Sequence, residues 1–176
     1  MFILLEKSSI IKLESVARKE GANMAEMLTV AKYFNELNLA QFGENMDQMK
    51  MHKMMYFSQR ESLMLYDKPL FDDVFQAWKF GPVLPIVRKE YTTGSMFAKV
   101  KGMLTLEEKD LVQSVYKRYV NYSAWDLSTL SHVEVSWKNA REGLRPEQVG
   151  KRPMRLSDIK VDATKERLCR LGVVLS

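Results

Sequence analysis

Apolar residues recur at three- and four-residue spacing along most of this chain, a spacing typical of amphipathic α-helices. The longest such stretch covers about residues 47–65, and Asp47 stands in its first turn, where a carboxylate offsets unpaired amides. The face predicted to be buried carries Met51, Met54, Met55, Ser58, Ser62 and Leu65. Because this is the longest of several helical patterns, helices dominate the predicted fold.

The same spacing predicts helices over about residues 8–19, 24–38, 85–91, 105–121 and 157–171. Thr105 and Glu108 have the spacing of a capping box, in which each side chain satisfies a free amide of the other residue. Ser123 and Asp126 begin a further short helix, and the apolar residues predicted inside it are Ala124, Leu127 and Leu130.

The middle of the chain, residues 67–91, breaks the helical spacing. Residues 74–78 are a short apolar run that is either an extended piece or an irregular helix. Gly81 and Pro82 force a bend, because proline lacks an amide donor and restricts the residue before it. The predicted fold class is therefore mainly α, a compact multi-helix domain with an irregular central segment that contains proline and glycine.

With 176 residues, 46% of them apolar and 28% charged, the chain is the size of one soluble domain. We predict an N-terminal amphipathic extension over residues 1–22 and a helical domain over residues 23–145. A basic C-terminal extension, also helical, is predicted over residues 146–176. No run of apolar residues is long enough for a membrane-spanning helix, and we expect no contact with a membrane.

The net charge of +5 comes entirely from residues 138–170, which hold ten of the 27 basic and five of the 22 acidic residues. Two interpretations stay open: these residues form a solvated helical surface, or they attract nucleic acid or an acidic partner. A helix-turn-helix has one loose candidate, residues 42–53, but the apolar residues of that helix are expected in the core.

Methionine is concentrated in one place: six of the twelve methionines lie between Met46 and Met64. Such a cluster can form a pliable docking groove, because the unbranched thioether adapts to irregular surfaces. The alternative is ordinary core packing, in which methionine stands where leucine would serve.

The common sequence motifs of metal-binding, nucleotide-binding and hydrolase sites are missing from the chain. One cysteine, Cys169, and two histidines leave too few ligands for a typical zinc site, and neither HExxH nor CxxC occurs. The chain also lacks GxxxxGK, GxGxxG and GxSxG. We therefore expect no catalytic residues, no metal, no cofactor and no enzymatic activity. The single cysteine suits a reducing cytoplasm, where we expect the protein to act.

Three blocks of sequence follow one another in a recognisable order. In residues 46–59 a lysine is followed by two methionines and Tyr-Phe. Residues 68–73 read Lys-Pro-Leu-Phe-Asp-Asp, residues 77–83 read Ala-Trp-Lys-Phe-Gly-Pro-Val, and Pro85 follows. Residues 130–132 read Leu-Ser-His, and Trp137 comes after them. In order and spacing, over about residues 25–141, these blocks resemble the Panacea domain, the family of SocA-like antitoxins and GepA-like phage-associated proteins.

The resemblance implies a mainly helical antitoxin of a type II toxin–antitoxin system, which neutralises a co-encoded protein toxin by direct binding. One family member also delivers its toxin to a protease, so a proteolytic adaptor or phage regulatory protein is an alternative. A DNA-binding regulator that uses the basic C-terminal region is another. The motif residues expected to build the core are Lys53, Tyr56, Trp78, Gly81, Pro82, Val83, His132 and Trp137.

Partner binding is expected to rest on a few aromatic or arginine anchors, because such residues dominate protein interfaces. We predict a contact surface drawn from the Met-rich helix, the bend over residues 78–91 and one of the two extensions. The candidate anchors are Trp78, Arg88, Tyr91 and Trp125.

Overall fold

The computed structural model describes residues 24–173. The helix predicted over residues 8–19, and the extension over residues 1–22, lie outside them. The described chain is mainly helical, as predicted, with one small antiparallel sheet. Its helices are α1 (Met27–Phe42), α2 (Gln48–Tyr66), α3 (Pro85–Thr93), α4 (Leu106–Tyr119), α5 (Ala124–His132), α6 (Val135–Ala140) and α7 (Leu156–Arg170). Its strands are β1 (Gln76–Trp78), β2 (Gly81–Val83) and β3 (Arg152–Pro153).

Helix α2 is the centre of the fold. It packs against α1, α4, α5, α7 and β2, and every residue from position 51 to position 63 is buried. The Asp47 side chain begins the helix by accepting a hydrogen bond from the Lys50 amide at 2.9 Å. A helix that is surrounded on all sides cannot show a simple two-sided pattern, which explains why polar residues are buried in it as well.

The methionines of this region lie in the core. Met46, Met51, Met54 and Met55 are at most 1% exposed, so the core-packing interpretation is confirmed and the docking groove is excluded for these four. The prediction for Leu65 is wrong, because its neighbours cover α2 only as far as Leu63 and Leu65 is 53% exposed.

Both predicted helix starts are confirmed in atomic detail. The Thr105 amide donates to Glu108 Oε2 at 2.7 Å, and the Ser123 amide donates to Asp126 Oδ2 at 3.1 Å. Within α5, Leu127 is buried as predicted, whereas Leu130 is 37% exposed. The inner face of α5 is completed by two small residues, Ser128 and Ser131, because strand β2 passes close to the helix at Gly81.

The central segment forms a β-hairpin, which settles the open choice for residues 74–78 in favour of an extended piece. Strands β1 and β2 pair in the register Gln76↔Val83 and Trp78↔Gly81, and residues 79–80 form the turn between them. Strand β3 pairs with the other edge of β1, so the sheet order is β2-β1-β3. The sequence did not predict β3.

The last helix, α7, shares the core of the rest of the chain. Ile159 and Ala163 are 2% exposed, and Met154 just before the helix is 3% exposed. They belong to the same hydrophobic cluster as the residues of α2, and α7 packs against α2 and α6. The division of the chain at residues 145 and 146 stays a prediction, but the helix of the C-terminal segment is docked on the body.

Candidate partner-binding surface

The turn of the hairpin exposes an aromatic pair. Phe80 at the tip is 44% exposed, and Trp125 in the first turn of α5 is 62% exposed. Their rings meet edge to face, with centroids 5.3 Å apart and planes at 84°. The Ser128 hydroxyl donates to the Phe80 carbonyl at 2.9 Å, which ties the tip to α5. Large aromatic side chains left exposed together on a rigid frame are typical of interaction surfaces.

Three cations stand over the rings of this region. The Arg88 guanidinium lies 5.3 Å from the centroid of the Trp78 ring, and Lys151 Nζ lies 5.5 Å from it. Lys79 Nζ lies 5.1 Å from the centroid of Phe80. These distances are those of cation–π contacts. We define the hairpin surface by the residues just described: Trp78, Lys79, Phe80, Arg88, Trp125 and Lys151.

A stacked pair of rings contacts the backbone of the hairpin. His132 and Trp137 stack with centroids 4.1 Å apart and an interplanar angle of 16°. Trp137 Nε1 donates to the Trp78 carbonyl at 2.9 Å, so the stack holds β1 directly. Burial, and then the charges of Lys53 and Arg141, lower the pKa of His132, which keeps the ring neutral at pH 7.

Two consecutive residues of α2 hold the second strand. Lys53 is 1% exposed, and its Nζ donates to the Pro82 carbonyl at 3.2 Å. Burial lowers the pKa of Lys53 to about 7. His52 Nδ1 accepts from the Leu84 amide at 3.3 Å, and burial lowers the pKa of His52 to about 3, so the ring is neutral.

Gly81 is required where the hairpin meets this lysine. Its φ of 104° suits glycine alone, and a Cβ at this position would lie 2.5 Å from both Lys53 Cε and Ser131 Oγ. Glycine therefore lets β2 approach α2 and α5 closely enough for the Pro82 carbonyl to reach Lys53.

Tyr56, one turn further along α2 than His52 and Lys53, belongs to a buried polar cluster. Its hydroxyl lies 3.0 Å from both Asp162 Oδ2 and Ser136 Oγ. Asp162 also accepts the amides of Val135 and Ser136 at 2.7 and 3.0 Å, which caps the start of α6. Sequence reasoning placed Tyr56 in the core but missed Asp162, because a lone aspartate in a charged helix gives no signal of burial.

The cluster continues through Arg60, which pairs with Glu134 and lies 3.3 Å from Glu166. Burial raises the pKa of Glu134 to about 7, although Arg60 opposes this shift. Arg170 then joins α7 to α2 through two hydrogen bonds to Glu61, at 2.7 and 2.6 Å. These contacts fix the C-terminal helix to the body.

Much of the C-terminal charge is used within the fold. Arg141 donates to the carbonyls of Ala77, Val149 and Gln148 at 3.2, 3.0 and 2.7 Å. Lys160 pairs with Asp67 at 3.1 Å, and Arg145 pairs with Glu147 at 3.0 Å. Together with Arg170, and with Arg152, which donates to the Glu142 carbonyl at 2.6 Å, these side chains account for five of the ten basic residues counted in the sequence.

The structure brings some of the predicted anchors together and separates another. Trp78 and Arg88 are in contact, and Trp125 lies beside Phe80 at the tip of the same hairpin. Tyr91 is placed elsewhere: its hydroxyl donates to the Met46 carbonyl at 2.9 Å, and its ring packs edge-on against Phe97. Its role in partner binding stays a prediction. Phe80, whose exposed ring meets Trp125, is not among the predicted anchors, and its place in a two-residue turn was the available signal of exposure.

The chain has a helical body built around one buried helix, with a braced hairpin at its surface. Residues 51–138, half of the chain, match the family described as Antitoxin SocA-like, Panacea domain. The chain therefore belongs to this family, and the resemblance seen in the sequence is confirmed. No curated protein and no solved structure gave a significant match.

Two other kinds of site are absent from the part of the chain that the structure describes. Within residues 24–173, no helix is both long and apolar enough to cross a bilayer. In the same part of the chain, no three His, Cys, Asp or Glu residues are grouped so as to hold a metal ion.

Proposed function

We propose that this protein is the antitoxin of a type II toxin–antitoxin system and neutralises a co-encoded protein toxin by direct binding. One observation carries the proposal: the family-matched segment holds an exposed aromatic pair, formed by Phe80 at the tip of the hairpin and Trp125 on α5. Aromatic and arginine side chains supply most of the binding energy in protein interfaces. This role needs no catalytic group, and we place it in the cytoplasm.

The division of labour among the motif residues supports the proposal. Lys53 and Trp137 donate hydrogen bonds to the backbone of the hairpin, and Gly81 lets β2 pack closely against α2 and α5. The side chains at the tip make fewer contacts with the body and face solvent. A scaffold of this kind keeps its packing while the exposed residues adapt to the partner.

A hairpin-centred interface needs more surface than its anchors alone provide. A specific protein complex buries about 1,200–2,000 Å² in total, with a few anchors near the centre. Trp78, Arg88 and Trp125 are the proposed anchors, and Phe80 joins them. Neighbouring surface, which includes α3 and α5, supplies the rest of the area.

Co-expression tests the function. The protein is expressed with the product of the neighbouring gene, and growth and recovery of a complex are measured. We expect the wild type to restore growth and co-purify with the toxin, whereas F80A/W125A loses both. The matched control is M103A/L106A, which removes two side chains that are 91% and 68% exposed on another part of the chain.

If the wild type neither relieves toxicity nor forms a complex, the proposed function is wrong. If F80A/W125A neutralises as well as the control does, the toxin binds another surface. Circular dichroism and thermal melting of each variant show whether it is folded.

The proteolytic-adaptor and phage-regulator alternatives require a partner surface of the same kind. They are distinguished by whether the partner decays faster when this protein and a protease are both present. The DNA-binding alternative has weaker support, because Arg141, Arg145, Lys160 and Arg170 contact carbonyl or carboxylate groups of the chain itself.

A further inference from the structure

The hairpin surface groups three positively charged side chains beside its aromatic rings. Lys79, Arg88 and Lys151 each lie within 5.5 Å of an aromatic ring centroid, yet none pairs with a carboxylate among residues 24–173. By contrast, Arg60 and Arg170 have carboxylate partners that join helices to one another. The cations of the hairpin surface are therefore available to carboxylates from outside the described chain.

Contact with the aromatic rings also restricts the conformations of these three cationic side chains. A lysine or arginine side chain in solution loses rotamer freedom when it forms an ion pair, which weakens exposed pairs. Contact with the rings of Trp78 and Phe80 limits this freedom before a partner arrives. Preordered positive charge at the rim of an apolar anchor favours a partner with complementary negative charge.

Resting on the toxin-binding function proposed above, we propose that the hairpin surface recognises an acidic patch on the partner protein. Carboxylates of the partner pair with Lys79, Arg88 and Lys151, and an apolar side chain of the partner packs against Phe80 and Trp125. The charges raise the rate and the selectivity of association, and the aromatic pair supplies most of the binding free energy.

A folded acidic protein fits this surface better than a single-stranded nucleic acid does. Bases bind such surfaces by stacking on open aromatic faces. Here Arg88 and Lys151 already stand over the Trp78 ring, and Lys79 stands over the Phe80 ring. Trp125 meets Phe80 edge to face, so the rings do not form a parallel platform.

The test uses charge reversal with a matched control. The variant K79E/R88E/K151E changes the three cations of the hairpin surface. The control K99E/K101E/K117E makes the same change in net charge at three exposed lysines elsewhere. Binding of the purified co-encoded toxin is measured by titration calorimetry at low and high salt, and thermal melting verifies that both variants are folded.

We expect K79E/R88E/K151E to bind the toxin about 100-fold more weakly at low salt and to lose much of the salt dependence of its affinity. The control should bind within about threefold of the wild type. Equal losses in the two variants, or none in either, overturn the acidic-patch proposal while the antitoxin function stands.

Two other outcomes also decide the matter. If wild-type protein fails to bind the toxin at all, the antitoxin function is wrong and the acidic-patch proposal falls with it. If a twenty-nucleotide oligothymidine binds the wild type, displaces the toxin and loses affinity for K79E/R88E/K151E but not for the control, the surface is a nucleic-acid site instead.

Discussion

Replacing Gly81 with alanine probes the contact that positions the hairpin. Gly81 has φ of 104°, and a Cβ there would lie 2.5 Å from Lys53 Cε and from Ser131 Oγ. Backbone strain at such a conformation costs about 1–3 kcal/mol, and forcing a carbon into a packed site costs about 1–3 kcal/mol more. We therefore expect the free energy of unfolding to fall by about 2–6 kcal/mol, from a total of about 5–15 kcal/mol.

Gly43 provides the matched control for backbone strain alone. It ends α1 with φ of 74°, and a Cβ at this position would have no atom within 4 Å. Gly43→Ala should therefore lower stability by only about 1–2 kcal/mol. Urea unfolding, followed by circular dichroism, gives both values from variants of one chain.

A double-mutant cycle isolates the steric part. Ser131→Ala removes one of the three atoms that collide with the new Cβ, so the cycle with Gly81→Ala should show a favourable coupling of about 1 kcal/mol. If Gly81→Ala is no worse than Gly43→Ala, or if the cycle shows no coupling, the close approach of β2 to α2 and α5 is not what requires glycine.

Three further predictions concern buried charges. Burial lowers the pKa of Lys53 to about 7, so the unfolded chain binds more protons from pH 7 up to the ordinary lysine value of 10.5. Wild-type stability should rise across this interval relative to Lys53→Met, by up to about 1.4 kcal/mol per pH unit. The pKa of Glu134 is raised from 4.5 to about 7, so the folded chain holds the extra proton there; wild-type stability should fall from pH 4.5 to 7 relative to Glu134→Gln. Arg170→Met leaves the buried carboxylate of Glu61 without its partner and should lower stability by about 1–3 kcal/mol. Lys160→Met breaks a more exposed pair with Asp67 and should change stability by less than about 1 kcal/mol.

Denaturant unfolding of each variant across the pH range measures all three. Parallel stability curves for wild type and Lys53→Met between pH 7 and 10.5 would mean that the buried lysine titrates normally. If the stability of Glu134→Gln falls between pH 4.5 and 7 as steeply as that of the wild type, another group causes the fall. Equal effects of Arg170→Met and Lys160→Met would show that the contact with Glu61 adds nothing beyond a surface ion pair.

The sequence predicted those features of the fold that depend on interactions between residues close together in the chain. The capping box at Thr105 and the helix starts at Ser123 and Asp47 each depend on residues a few positions apart, and all three form as expected. Gly81 and Pro82 marked a bend for the same reason, since their backbone restrictions are local. Most of the helices follow from such signals.

Contacts between distant segments could not be predicted in this way. Strand β3 has two residues and exists only because β1 lies beside it. Asp162 and Glu134 are buried because Tyr56 and Arg60 reach them from α2, 106 and 74 residues away in the chain. Phe80 becomes part of an exposed pair only through the position of Trp125 on another element.

Hydrogen–deuterium exchange on the purified toxin complex tests the central claim most directly. The account predicts slower exchange on binding at residues 76–83 and 85–93 and at the start of α5, with little change in α1. Protection confined to α1 and α4, or no protection anywhere despite a stable stoichiometric complex, would contradict it.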